Sequence, residues 1–178
     1  MSDALVEELI AKQAIRDVLA RYCRGLDRMD KEMAYGVWHE GATADYLDIY
    51  EGTGRGFIDW VWEAHAGMQC HSHQITNVLI DVQGDAAVSE AYVMVVLWTR
   101  AVGDAPQQQI GVCGRYLDRW SRRDDRWAID HRTHVVDTHS VSELAKGAIS
   151  ARSRRDERDV SFEFMGKGGG PLWAVEKG

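Results

Sequence analysis

With 178 residues, 45% hydrophobic and 28% charged, the chain has the size and balance of one globular domain, which excludes a disordered polypeptide. A formal net charge of −7 argues against an electrostatic grip on nucleic acid, and no apolar run approaches the ~18 residues of a membrane-spanning helix. Cys23, Cys70 and Cys113 are odd in number and far apart, so neither a disulfide framework nor a thiolate zinc site is expected; with no leader-like N-terminus, the expected location is cytoplasmic.

From Asp3 to Met29 the apolar residues Leu5, Leu9, Ile10, Ile15, Leu19, Tyr22 and Leu26 recur at helical spacing and predict one long amphipathic helix. Asp30 caps a short second helix over Lys31 to Trp38, and Gly41 releases the chain into a strand around Thr43 to Ile49. Phe57 to Met68 reads as a third helix that turns Phe57, Val61 and Trp62 to the core. Beyond it β-branched and aromatic residues dominate. His73 to Val82 passes through the turn Gln83-Gly84-Asp85 into Ala86 to Arg100, a long antiparallel hairpin, and two further strands cover Gln108 to Trp120 and Arg126 to Asp137. Val141 to Ile149 predicts a short helix. The organisation is a domain over 1–150 and a C-terminal tail over 151–178, in which Arg152, Arg154, Arg155 and Arg158 form a solvated basic cluster. Helices first and antiparallel sheet after make an α+β layout, a curved sheet roofed by helices around a concave space.

Three segments carry candidate chemistry. In Tyr22-Cys23-Arg24-Gly25-Leu26-Asp27, Tyr22 and Leu26 share a helix face, and Asp27 lies about 140° further round than Tyr22, near enough to line the same cavity edge. Spacing alone favours an exposed carboxylate in the last helical turn. In Cys70-His71-Ser72-His73-Gln74 a strand turns His71 and His73 to one face; as a metal site the pair lacks a third ligand close in sequence, whereas one imidazole needs only a carboxylate to serve as a general base. In Asp130-His131-Arg132-Thr133-His134 alternation separates Asp130, Arg132 and His134 from His131, Thr133 and, earlier, Trp127 and Ile129, without saying which set meets the pocket. A buried Arg132 would bind an anionic or polar group or pair with Asp27. No phosphate loop, nucleophile elbow or metal-binding helix motif occurs.

Taken together, the long helix, the strand order and these motifs over about residues 4 to 138 resemble the nuclear-transport-factor-2-like (SnoaL-like) superfamily, which includes cofactor-free dehydratases and a dehydrochlorinase. The resemblance implies a cone-shaped (cystatin-like) fold in which Asp27 pairs with His73, the base that removes a proton. It places Tyr22 beside that dyad and Arg132 at an active-site arginine, with no cofactor and no metal. The additional sheet histidine of scytalone dehydratase is replaced here near Leu97 or Trp98, so phenol dehydration is not implied. The expected activity is a cofactor-independent lyase for a hydrophobic, cyclic or aromatic small molecule. The open alternatives are an isomerase, a non-catalytic carrier of a small molecule, or a structural subunit like the β chain of ring-hydroxylating dioxygenases. Apolar residues on the outer sheet face predict a homo-oligomer, dimer or trimer. No nucleic acid or membrane partner is expected.

Overall fold

The computed structural model describes residues 3–47 and 49–167. In chain order the elements are α1 (Asp3–Asp27), α2 (Lys31–Gly36), β1 (Trp38–Asp45), β2 (Glu51–Thr53), α3 (Gly54–Ala66), β3 (Met68–Gln83), β4 (Ala86–Thr99), β5 (Gln108–Arg123), β6 (Arg126–Glu143) and α4 (Ser161–Met165). One six-stranded sheet runs in the order β2-β1-β6-β5-β4-β3. The α+β class holds, with one difference: β1 pairs with β6 in parallel, so the sheet is mixed. β1 lies between the short edge strand β2, to which it is antiparallel, and β6.

The helices begin where their caps act. Asp30 accepts the amide of Met33 and starts α2, and Thr53 accepts the amide of Gly56 and starts α3. Gly25 lets α2 lie against α1, because a Cβ there would stand 2.9 Å from the amide nitrogen of Ala34. Along α1 the buried face starts at Ala11 and continues through Ile15, Leu19, Tyr22 and Leu26. Leu5, Leu9 and Ile10, expected on the core face, remain exposed. Phe57 and Val61 of α3 are buried and Trp62 packs against the core, as the spacing predicts.

Two corrections concern the last strand. The helix expected over Val141 to Ile149 does not form; β6 continues to Glu143 because β5 offers it partners as far as Gln108, and turns follow. Simple alternation also fails along β6. Arg119 pairs with His131 but Trp120 with Ile129, leaving Asp130 as an extra residue, and Asp137 is extra in the same way. Each bulge shifts the phase by one. Trp127 and Ile129 therefore share the inner face with Arg132 and His134 rather than with His131.

Residues 150–165 are not a loose tail. Arg28 donates to the carbonyl of Arg154 at 2.8 Å, and Arg24 donates to Ser161 and lies over the ring of Phe162, so the segment is strapped across the end of α1. The rest of the expected tail, 168–178, lies outside the described residues. Among the described residues, no helix is long and apolar enough to cross a membrane.

Candidate active site

A cavity of about 420 Å³ opens between α1, α3 and the concave face of the sheet. Its walls are chiefly apolar and aromatic: Leu26, Phe57, Trp60, Val95 and Leu97 among them. Tyr22, Tyr46, His65, His73, His134 and His139 add polar groups.

Asp27 is the last residue of α1, buried with Tyr22, Cys23 and Leu26. The C-terminal end of a helix disfavours a carboxylate, so this one depends on donors from elsewhere. β3 supplies them. The backbone amide of His73 donates to both carboxylate oxygens at 3.1 and 3.0 Å, and the His73 ring meets Oδ1 through Nδ1 at 2.7 Å. His71 approaches the same oxygen through Nδ1 at 3.4 Å. Burial pushes the Asp27 carboxyl up, but the bonds from His71 and His73 outweigh it and hold the group below the usual carboxylate range. An ionised carboxylate only accepts, so Nδ1 of His73 must carry the proton. Its Nε2, on a ring that lines the cavity, makes no hydrogen bond among the described residues.

The strand expectation that His71 and His73 share a face is met, and Asp27 is the third group that sequence proximity did not reveal. Ligand-type atoms of the three lie within 4.8 Å of one another, the one such cluster among the described residues. The cluster is closed by its own hydrogen bonds, however, and the Arg155 guanidinium stands 3.2 Å from Nε2 of His71. A cation that close makes the trio a poor seat for a metal ion. Burial first, and then the neighbouring His73 and Arg155, lower the His71 pKa despite Asp27. Asp27 and His71 are thus a carboxylate and a neutral imidazole rather than an ion pair.

Arg132 lies elsewhere. It does not pair with Asp27; it makes a two-pronged bond to Asp118, Nε to Oδ1 at 2.7 Å and Nη2 to Oδ2 at 2.8 Å, directly across strands β5 and β6. Both side chains are fully buried. The guanidinium carbon sits 4.4 Å from the Tyr22 ring centre and 3.9 Å from that of Tyr116, so aromatic rings sheath the charge behind the cavity wall. Burial opposes the positive charge, but Asp118 overrides it and the pKa is raised well above the ordinary arginine value.

Tyr22 and Tyr46 touch through their hydroxyls at 2.7 Å, and burial raises both pKa values far above that of a free phenol. One hydroxyl donates to the other, which leaves the second proton for a ligand oxygen. His134 packs beside Tyr46 and Tyr116. Both of its ring nitrogens are buried without a partner among the described residues, and burial, then Arg132, lower its pKa to about 4. A side chain at Gly114 is excluded first by the carbonyl oxygen of Val135, 2.3 Å from where a Cβ would stand, and then by Nε2 of His134 at 3.0 Å. His65, with its Nδ1 unpartnered, is lowered to about 3 by burial and by His71. Asp118 had a readable signal, because in β5 it alternates with Tyr116 and Trp120 on one face. Tyr46, just past the end of β1, and His65, in the last turn of α3, had none comparable.

A protein-family profile described as a SnoaL-like domain matches residues 7–133. No curated protein matches by sequence. Among solved structures, a type-2 hexachlorocyclohexane dehydrochlorinase is similar at TM-score 0.69 and 19% identity, covering 81% of this chain and 99% of its own. A candidate scytalone dehydratase from Novosphingobium aromaticivorans gives 0.65 and 19%, covering 80% and 97%. A protein of unknown function from Mycobacterium tuberculosis gives 0.63 and 24%, covering 83% and 82%. At these identities the likeness establishes the fold.

Proposed function

The chain belongs to the SnoaL-like family, and from that premise we propose that it is a cofactor-independent lyase for a hydrophobic, cyclic or aromatic small molecule, with Asp27 and His73 as its working dyad. The observation that carries this reading is the 2.7 Å contact between Nδ1 of His73 and Asp27 on a ring that lines an apolar cavity. Asp27 fixes the tautomer, so Nε2 is the nitrogen free to take a proton. As it takes a proton from substrate carbon, the C–H electrons form the new double bond and the leaving group departs with its own bonding pair. The tyrosine hydroxyl left unshared in the Tyr22–Tyr46 pair donates to the oxygen that gains charge. Arg132 supports that step through the Tyr22 ring rather than by touching the substrate. The dehydrochlorinase and candidate dehydratase names among the similar structures agree with an elimination but belong to those proteins.

A thermal-shift screen of cyclic and aromatic alcohols, halides and ketones, followed by mass-spectrometric search for product, tests the reading. Ligands that raise Tm and are converted support it. Ligands that raise Tm and are returned unchanged by active-site-intact protein support a carrier instead.

Self-association belongs to the same proposal. Val88, Tyr92 and Met94 lie on one face of β4, 53, 44 and 45% exposed, while Ala87, Ala91, Val93 and Val95 face inward. A second copy seated on that outer face would remove them from water.

A further inference from the structure

Arg155 comes from the strap after β6, beyond the stretch matched by the family profile, and reaches the back of the dyad. Its Nη1 donates to the carbonyl of His65 at 2.6 Å, and its Nη2 to the carbonyl of Ala66 at 3.1 Å. These are last-turn carbonyls of α3, at the end where a cation is favoured; that of His65 also accepts the amide of the cap residue Gly67. The same Nη1 lies 3.2 Å from Nε2 of His71.

A guanidinium has no lone pair to offer; it can only donate. Nε2 of His71 must therefore accept, and a neutral imidazole that accepts at Nε2 carries its proton at Nδ1. That proton faces Oδ1 of Asp27 at 3.4 Å. The opposite tautomer would set an N–H against a guanidinium and leave a bare nitrogen lone pair against a carboxylate, two repulsions in place of two bonds. The strap is held for this task on the α1 side by Arg28, which donates to the carbonyl of Arg154 at 2.8 Å. The charged and titratable groups around His71 are Asp27 from α1, His65 from α3, His73 from β3 and Arg155 from the strap.

We propose that Arg155 is a positioning residue: by donating to His71 it fixes that imidazole as the Nδ1–H tautomer, and His71 in turn holds the Asp27 carboxylate in register for His73. Its consequence for turnover rests on the lyase reading above, whereas the tautomer itself rests on the geometry alone.

The test is two-bond ¹H–¹⁵N correlation spectroscopy of the full chain labelled with ¹⁵N-histidine, at neutral pH. Wild-type protein should show His71 as a single species protonated at Nδ1. Arg155→Ala and Arg155→Gln should lose that single species and show the second tautomer, while Arg155→Lys, which keeps a charged donor, should restore part of it. Finding His71 protonated at Nε2 in wild-type protein would overturn the proposal without any variant having to fold. So would an unchanged Nδ1–H signal in folded Arg155→Ala. Once a substrate is in hand, Arg155→Ala should lower kcat with KM unchanged. A chain inactive on every compound but with the predicted tautomers would sink the lyase reading and leave the Arg155 assignment standing.

Discussion

Asp118 and Asp27 are both buried carboxylates facing one conical interior, and they are satisfied in opposite ways. Asp118 takes both prongs of Arg132, and the pair is sealed behind the rings of Tyr22 and Tyr116 with no exposure at either side chain. Asp27 takes its bonds from His73 and His71; Nε2 of His71 is occupied by Arg155, and Nε2 of His73 has no partner among the described residues. Nε and Nη2 of the guanidinium are committed to the carboxylate and its faces to aromatic rings, with Nη1 buried and unpartnered among the described residues behind the wall, whereas the His73 imidazole, held at Nδ1, presents Nε2 on the cavity side. Burial of charge alone therefore does not mark the candidate base, and neither does an unpaired nitrogen alone, which His65 and His134 also have; a ring oriented by a carboxylate at one nitrogen with the other left on the cavity wall does.

The contrast breaks hardest at the sealed pair. Asp118→Asn or Arg132→Met alone leaves a buried charge without its partner and should cost about 3–5 kcal/mol in urea denaturation, while an apolar replacement of both should recover most of it. Retention of full stability by either single variant would show that solvent reaches the pair. The dyad should behave in the reverse manner. His73→Ala and Asp27→Asn should lower turnover by ~100-fold or more, equivalent to about 3 kcal/mol of barrier, with a urea midpoint close to wild type for His73→Ala.

His134 sharpens the comparison because it is buried like the sealed pair and neither of its ring nitrogens is paired among the described residues. Its folded pKa of about 4 lies below the ordinary value of 6.5. The unfolded chain therefore binds the proton first, and stability falls as pH drops below about 6.5 until the folded state also protonates near 4, a slope on the order of 1 kcal/mol per pH unit. His65, at about 3, adds to the same loss, and Asp27 extends it at lower pH as its depressed group is finally protonated. His134→Phe should flatten part of that slope, which urea midpoints at pH 7 and pH 4.5 would show; equal slopes in both proteins would mean that His134 finds a partner. The smallest effect lies outside the cone. Val88→Lys with Met94→Lys should change monomer stability by only about 0.5 kcal/mol but convert an oligomer to monomer by analytical ultracentrifugation.

Much of this was legible in the residues. Helical spacing brought Tyr22, Leu26 and Asp27 to one edge, and alternation brought His71 and His73 to one face, because both elements are regular there. Legibility failed where regularity fails. The bulges at Asp130 and Asp137 reset the inner face of β6, so alternation could not link Trp127 and Ile129 to Arg132 and His134. The apolar spacing from Val141 to Ile149 suits a helix, yet pairing with β5 overrides the local preference as far as Glu143. Arg155 resembles any member of a solvated basic run; its role arises from α3 ending beside His71, a contact 84 residues distant in the chain.

The most direct test of the dyad is exchange of carbon-bound hydrogen in deuterated water, using any ligand that the thermal-shift screen identifies. Deuterium should enter the ligand or its product at one carbon in wild-type protein and at a rate lower by ~100-fold or more in both His73→Ala and Asp27→Asn. Equal incorporation by wild-type protein and His73→Ala would contradict the assignment of Nε2 of His73 as the base.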